Sequence, residues 1–392
     1  MIIIWGIIPI ISIPLLLYLA LNNRFSITIK EKYFLLFITA LSFGLVAYTV
    51  SSAGIETSDV VRYRDIYNDA IGQDFRDISP LNYFFNIINW ILANYVSSNG
   101  QFLSLFWSTV TISFALFASL KIILYLFEDR GDLYFILILL SLIIIPFITT
   151  TEMIKQTTAF SIFFFAISKK ITKEKYAIIF FIISFLIHPQ SVIFIIIIYF
   201  YNNKYINKYI IQIFIISFIF SFINILDFIN PLSHFAIFNL IDLSDKIEAY
   251  KNWDQWGGSK RYYIIFAMMA IQIAIYIYQY YKQKDFKNDL SILGILIISV
   301  LLFNMSNQHD FARLIIILFP FQILVTLFDI KAFNKVNDKK IVIALLFSFY
   351  LISNSIYTYK QLNSDESRQS YMDNNWIRIL TSNVSNFFQY QT

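Results

Sequence analysis

Phe135 to Phe147 reads FILILLSLIIIPF, apolar at every position but Ser141. A strand of a membrane β-barrel alternates apolar and polar side chains, so a run apolar on every face points to a helix surrounded by apolar material. Similar runs of about 17 to 26 residues recur along the chain, each close to the roughly 20 residues that carry a helix across a hydrocarbon core of about 30 Å. Composition agrees: of 392 residues 58% are apolar and 14% charged, with 42 Phe and 26 Tyr, more apolar surface than one soluble core could hide. The expected fold class is all-α and polytopic, and a soluble enzyme is excluded. The chain has no cysteine, which excludes disulfides and thiolate metal sites. His188, His234 and His309 are too far apart in sequence to form a recognised ligand spacing.

Ten full spans are predicted near 2–21, 33–50, 102–127, 133–150, 152–168, 210–229, 261–281, 290–305, 312–328 and 341–358. The first lacks a basic leader and a small-residue cleavage site, and reads as an uncleaved span. Segment 81–96 is amphipathic and interrupted by Asn82, Asn86, Asn89 and Asn94, which suits an interfacial or re-entrant helix. Segment 176–201 reads as a hairpin of half-helices meeting at His188-Pro189. Eighteen of the 30 basic residues then fall on one side against nine acids, giving +9 there and −4 on the other. By the positive-inside rule the lysine-rich side is cytoplasmic, and both termini are extracytoplasmic. Residues 1–358 form one expected membrane domain with outer loops 51–80 and 230–260, and 359–392 an interfacial tail carrying Trp376, Ile377, Leu380, Phe387 and Phe388.

Charges in or beside spans are costly and therefore mark functional candidates. After the second span, Asp59, Tyr63 and Tyr67 share one helical face, flanked by Arg62 and Arg64. Guanidinium groups grip phosphate oxygens and phenols pack on sugars, although a solvated amphipathic helix carries the same pattern. Glu152, Lys155 and Gln156 open a later span, as a phosphate contact or as a self-neutralising i,i+3 pair. His188 and Ser191 break an apolar stretch, His188 being a base, a phosphate donor or a helix-end cap. His309, Asp310 and Arg313 stand at the mouth of another span, where Arg313 could equally snorkel. Trp253 and Trp256 in the 230–260 loop suit sugar stacking or interface anchoring.

These motifs together resemble the Wzy/EpsG-like family of O-antigen and exopolysaccharide polymerases. Asp59-x-x-x-Tyr63-x-x-x-Tyr67 is similar to its Asp and Tyr signature, and Glu152 to Phe165 to its segment of basic residue, Gln and an apolar helix. His188-x-x-Ser191 is similar to its His-and-Ser step, and Arg313 to its late Arg. The resemblance runs from about 30 to 330 and departs at Lys155, where the family pattern leads one to expect Arg. It implies a membrane glycosyltransferase fold broadly similar to O-antigen ligase. The implied reaction moves a growing glycan from undecaprenyl diphosphate to a lipid-linked acceptor repeat, at the periplasmic face of a bacterial inner membrane. A chain-length regulator is the implied protein partner.

On this reading Arg62, Arg64, Lys155 and Arg313 face the diphosphate, Asp59 or His188 is the base, and Tyr63 and Tyr67 position sugar. Glu152, Gln156, Ser191, Trp253, Trp256, His309 and Asp310 complete the substrate contacts. No Asp-x-Asp motif occurs, so neither a metal nor another cofactor is expected, and no nucleic acid. An O-antigen ligase shares the donor but is expected to carry a larger outer domain. A flippase is expected to spread charge through a central cavity and to show repeats.

Overall fold

The computed structural model describes residues 2–21, 27–50, 59–78, 83–126, 150–151, 153–191, 203–222, 289–303, 348, 352 and 376–389. Every regular element among them is helical. The chain divides into two compact units, Met1–Val192 with Phe347–Thr392, and Ile193–Leu346.

The first unit is built on α1 (Ile2–Ile7), α2 (Ile13–Leu21), α3 (Ile29–Tyr48), α4 (Asp59–Asp69), α5 (Tyr83–Tyr95), α6 (Gln101–Leu126), α7 (Ile154–Ile171) and α8 (Ala177–Ile187). Helix α3 starts at a capping box in which Thr28 and Glu31 satisfy each other's backbone N–H groups. It packs along α6, α6 along α7, and α7 along α8. The close approach of α3 to α6 depends on Gly44, where an added Cβ would meet Thr109 Oγ1 and lie 2.7 Å from the Leu105 carbonyl oxygen. Across the other face of α6, Thr111 and Thr158 share a hydrogen bond of 2.7 Å, and Ser184 of α8 donates to the Ala159 carbonyl of α7 at 2.7 Å.

Among the described residues one helix, Gln101–Tyr125, is long and apolar enough to cross a membrane. Helix α8 and the helix Ile210–Phe220 are apolar but shorter. Helix α5 has 13 residues, about 20 Å at 1.5 Å per residue, short of a full span as its asparagines suggested. Those asparagines are put to use. Asn94 accepts from Gly72 N–H and donates to the Ala70 carbonyl, each at 2.8 Å, and so fastens α5 to the end of α4. The break at His188 is present: α8 ends there, His188 is extended, and Pro189–Ser191 makes one 3₁₀ turn. The returning half-helix lies outside the described residues.

At the other end of α7, the turn to α8 places Lys173 and Tyr176 in the left-handed region (φ 57° and 68°). Glu174 lies in that turn, pairing with Lys121 of α6 and, at 2.9 Å, with Lys169 of α7. Burial raises its carboxyl pKa, but the hydrogen bonds from both lysines outweigh that and hold it at about 2 against an ordinary 4.5. Two short helices, α12 (Trp376–Thr381) and α13 (Val384–Phe387), form the tail. Its Ile379 and Phe387 are buried with Leu45, Val46, Tyr48 and Leu105, while Ile377, Leu380 and Phe388 are exposed. The tail thus packs by one face into the first unit. In the second unit, α9 (Lys204–Lys208) leads into α10 (Ile210–Phe220), which packs along α11 (Asp289–Phe303).

Gly44→Ala is expected to lower stability in detergent by about 1–3 kcal/mol through overpacking, whereas Gly6→Ala, with nothing within 4 Å, leaves thermal unfolding unchanged. The Glu174 pairs stabilise the fold while the carboxylate is ionised, fully above about pH 4.5, and are lost as pH falls toward about 2. The gap in melting temperature between wild type and Glu174→Gln should therefore narrow as pH is lowered from about 5 to about 3.

Candidate functional site

Helix α4 carries the Asp59 to Tyr67 motif, and its buried face is Val60, Tyr63, Arg64 and Tyr67. Asp59 and Arg62 stand at its rim, one turn apart, joined by an ion pair of 2.7 Å. Tyr63 packs edge-on against Phe85 of α5, with centroids 5.9 Å apart, and Phe85 stacks on Trp107 of α6 at 4.8 Å. Trp107 is held by its indole N–H, which donates to Asn89 Oδ1 at 2.7 Å.

Lys155 enters against this aromatic column. It is the second residue of α7, and Met153 at the N-cap gives no side-chain cap. Its ammonium lies 5.0 Å from the ring centroids of both Tyr63 and Phe85. Rings present negative faces to a cation, so this geometry holds a charge without neutralising it. The Arg62 guanidinium carbon lies 5.4 Å from the centroid of the same Tyr63 ring, and both Arg62 and Asp59 act electrostatically on Lys155. Two cations and one carboxylate thus gather around Tyr63. The N-terminal end of α7 adds its own positive dipole to the same place. A ligand with several anionic oxygens fits this arrangement, and the carboxylate beside it can accept a proton.

Of the sequence-predicted residues, the structure brings together Asp59, Arg62, Tyr63 and Lys155. Gln156 follows Lys155 but is buried. Ile187 joins the same buried cluster as Tyr63, Phe85 and Ile154, so the His188 to Ser191 turn borders the site. Ser191 is fully buried, and its hydroxyl has no hydrogen-bond partner among the described residues.

Two residues take other positions. Arg64, expected to face diphosphate, is 4% exposed and donates to the Val50 carbonyl at 2.8 Å and to Ser104 at 3.3 Å, which ties the end of α3 to α6. Tyr67, expected to hold sugar, is fully buried and donates to the Ser97 carbonyl at 2.5 Å. Burial pushes its phenol up to about 12. A helical repeat of 3.6 residues puts positions 60, 63, 64 and 67 on one stripe, which explains why both lie inward. Glu152, Trp253, Trp256, His309, Asp310 and Arg313 lie outside the described residues. Sequence reading missed Phe85, Asn89 and Trp107; the i,i+4 spacing of Phe85 and Asn89 within 81–96 was the available signal.

The division between rim and core is open to test by thermal unfolding in detergent. Tyr67→Phe should cost about 1 kcal/mol by leaving the buried Ser97 carbonyl without its donor. Arg62→Gln, whose side chain is 63% exposed, should change stability by no more than about 0.5 kcal/mol. Equal losses for the two would remove the distinction.

Neither a curated protein nor a solved structure is similar enough to match the chain. The model of the EpsG family matches residues 32–368, which takes in α4, α5, α6 and α7 and so every residue of the Lys155 cluster. On that match, over most of its length, the chain belongs to the EpsG family, and membership supports polysaccharide biosynthesis by a membrane-type protein.

Proposed function

We propose that the protein polymerises lipid-linked O-antigen or exopolysaccharide repeat units, moving the growing glycan from undecaprenyl diphosphate to the end sugar of a second lipid-linked repeat. The reaction takes place at the periplasmic face of the bacterial inner membrane. Lys155 carries this reading: an ammonium against two rings at the N-terminal end of α7, beside the Asp59–Arg62 pair. Lys169 lies at the opposite end of α7, 14 residues and about 21 Å away, among Lys121, Lys170, Lys173 and Lys175. With that lysine-rich end cytoplasmic by the positive-inside rule, the Lys155 end is periplasmic.

Embedding in a bilayer is supported by side chains turned outward. Helix α8 exposes Ile178, Ile179, Ile182, Phe185 and Leu186, and α10 exposes Ile215, Ile216, Phe218 and Ile219. Apolar faces of this extent need a cover that water does not provide.

In the reaction the bond from the sugar anomeric carbon to the diphosphate oxygen breaks and one to the acceptor hydroxyl oxygen forms. Lys155 and Arg62 neutralise the negative charge that grows on the leaving diphosphate, the largest single contribution available to such a site. When Arg62 turns to the diphosphate, Asp59 loses its partner and takes the acceptor's proton. Tyr63 holds Lys155 in place, His188 and Ser191 border the acceptor side, and Arg313, Glu152, His309, Asp310, Trp253 and Trp256 are assigned to the substrate as the sequence suggests. A chain-length regulator is the expected partner protein.

Deletion of the gene in the native host, with surface and lipid-linked glycans run on gels, tests the class. Collapse of the ladder to a single repeat is expected; accumulation of long lipid-linked chains indicates a ligase instead, and an unchanged ladder contradicts the proposal. In the deletion strain, Lys155→Met and Asp59→Asn should lower polymerisation by about a hundredfold or more, and Lys155→Arg, the residue the family pattern leads one to expect there, should restore long chains.

A further inference from the structure

The basic end of the first unit forms a surface that the polymerase reading does not use. Four helices meet there. Glu174 in the α7–α8 turn pairs with Lys121 of α6 and Lys169 of α7 and acts electrostatically on Tyr33 of α3, which places the start of α3, with Lys30 and Lys32, at the same end. Tyr33 packs edge-on against Phe117, and Phe117 against Phe165, the ring beneath both paired lysines. Among the described residues, Glu174 at this end is committed to its lysines and Glu31 to the Thr28 capping box. Lys173 and Lys175 project beyond them, exposed, with no ion pair among the described residues.

What adjoins these lysines sets the kind of partner. Tyr176 is 68% exposed, and one turn into α8 Ile178 and Ile179 are 61% and 46% exposed. Reading along the chain, two ammonium groups are followed at once by an amphipathic ring and then by bare aliphatic surface. That is the order of phosphate, interface and acyl chain in a phospholipid leaflet. The left-handed conformations of Lys173 and Tyr176 fold the turn tightly enough to present these groups together.

We propose that the Lys173–Tyr176 turn binds the headgroup of an anionic phospholipid, with Lys173 and Lys175 on the phosphate, Tyr176 at the interface and Ile178 and Ile179 along the acyl chain. The site is distinct from the Lys155 cluster but rests on the chain being membrane-embedded. Binding here holds the α7–α8 hairpin at a fixed depth and so sets the height of Lys155 at the other end of α7.

The test is thermal unfolding of the full chain in nanodiscs of phosphatidylcholine alone or with phosphatidylglycerol. Phosphatidylglycerol is expected to raise the melting temperature of the wild type, and high salt to reduce the increment. Lys173→Gln with Lys175→Gln should lose about half of it or more, while the double Arg variant keeps it. Equal increments for wild type and the Gln variant overturn the proposal, as does an equal effect of soluble glycerol phosphate, which makes the ligand a free anion. Partition of the wild type into the aqueous phase of a detergent cloud-point separation defeats membrane embedding itself, a separate result from absent lipid preference in protein that does reconstitute.

Discussion

Helix α6 is flanked by α3 and α7, and small residues stand at both contacts. Gly44 lets α3 come close enough for Thr109 and the Leu105 carbonyl to fill the space of a side chain. Thr111 meets Thr158 on the side of α7. Thr109 and Ser119 return their hydroxyls to carbonyls four residues back, at 2.7 and 2.8 Å, and so are satisfied within their own helix. Everything at the Lys155 end depends on this convergence. Arg64 can bridge Val50 and Ser104 only because α3 and α6 end and begin side by side, and Trp107 can back Phe85 only because α5 lies across α6.

Once α4 and α5 are fixed in this way, the chemistry follows from what is left at the rim. Tyr67 and Arg64 spend their polar groups on the scaffold. Asp59 and Arg62 spend theirs on each other, across a solvent-facing turn where an exposed pair is worth little and is easily exchanged for a better ligand. Lys155 sits against rings, which attract a cation but leave its hydrogen-bonding capacity available to an anion. A rigid aromatic floor under loosely held charges is suited to a substrate whose own charge changes during reaction.

Much of this was legible in the sequence because the signals are periodic. All-helical structure, the break at His188 and the short asparagine-rich helix at 81–96 each follow from spacing and composition, and the structure has each of them. The grouping of Asp59, Arg62, Tyr63 and Lys155 was also anticipated, because charges near spans are few. The inward turn of Arg64 and Tyr67 was not, since an amphipathic pattern with Arg on both edges does not say which edge meets α6. Phe85 and Trp107 were overlooked because aromatics abound in this chain, and only a partner such as Asn89 reveals which ones matter. In the tail, Ile379 and Phe387 are packed in the cluster with Leu45, Val46 and Tyr48 of α3, while Ile377, Leu380 and Phe388 stay exposed. The count of spans rests on the sequence alone, since one helix among the described residues has the length and composition to cross a membrane.

The most direct test of the account is to find where the diphosphate end of the donor lies. A polyprenyl diphosphate carrying a photoreactive group beside its phosphates, added to the protein in nanodiscs and irradiated, marks its contacts for peptide mass spectrometry. Adducts on the peptides holding Asp59 to Tyr67 and Tyr83 to Asn89, reduced in Lys155→Met, are the predicted result. Adducts confined to the α7–α8 turn at the opposite end of the bundle, unaffected by that substitution, would contradict it.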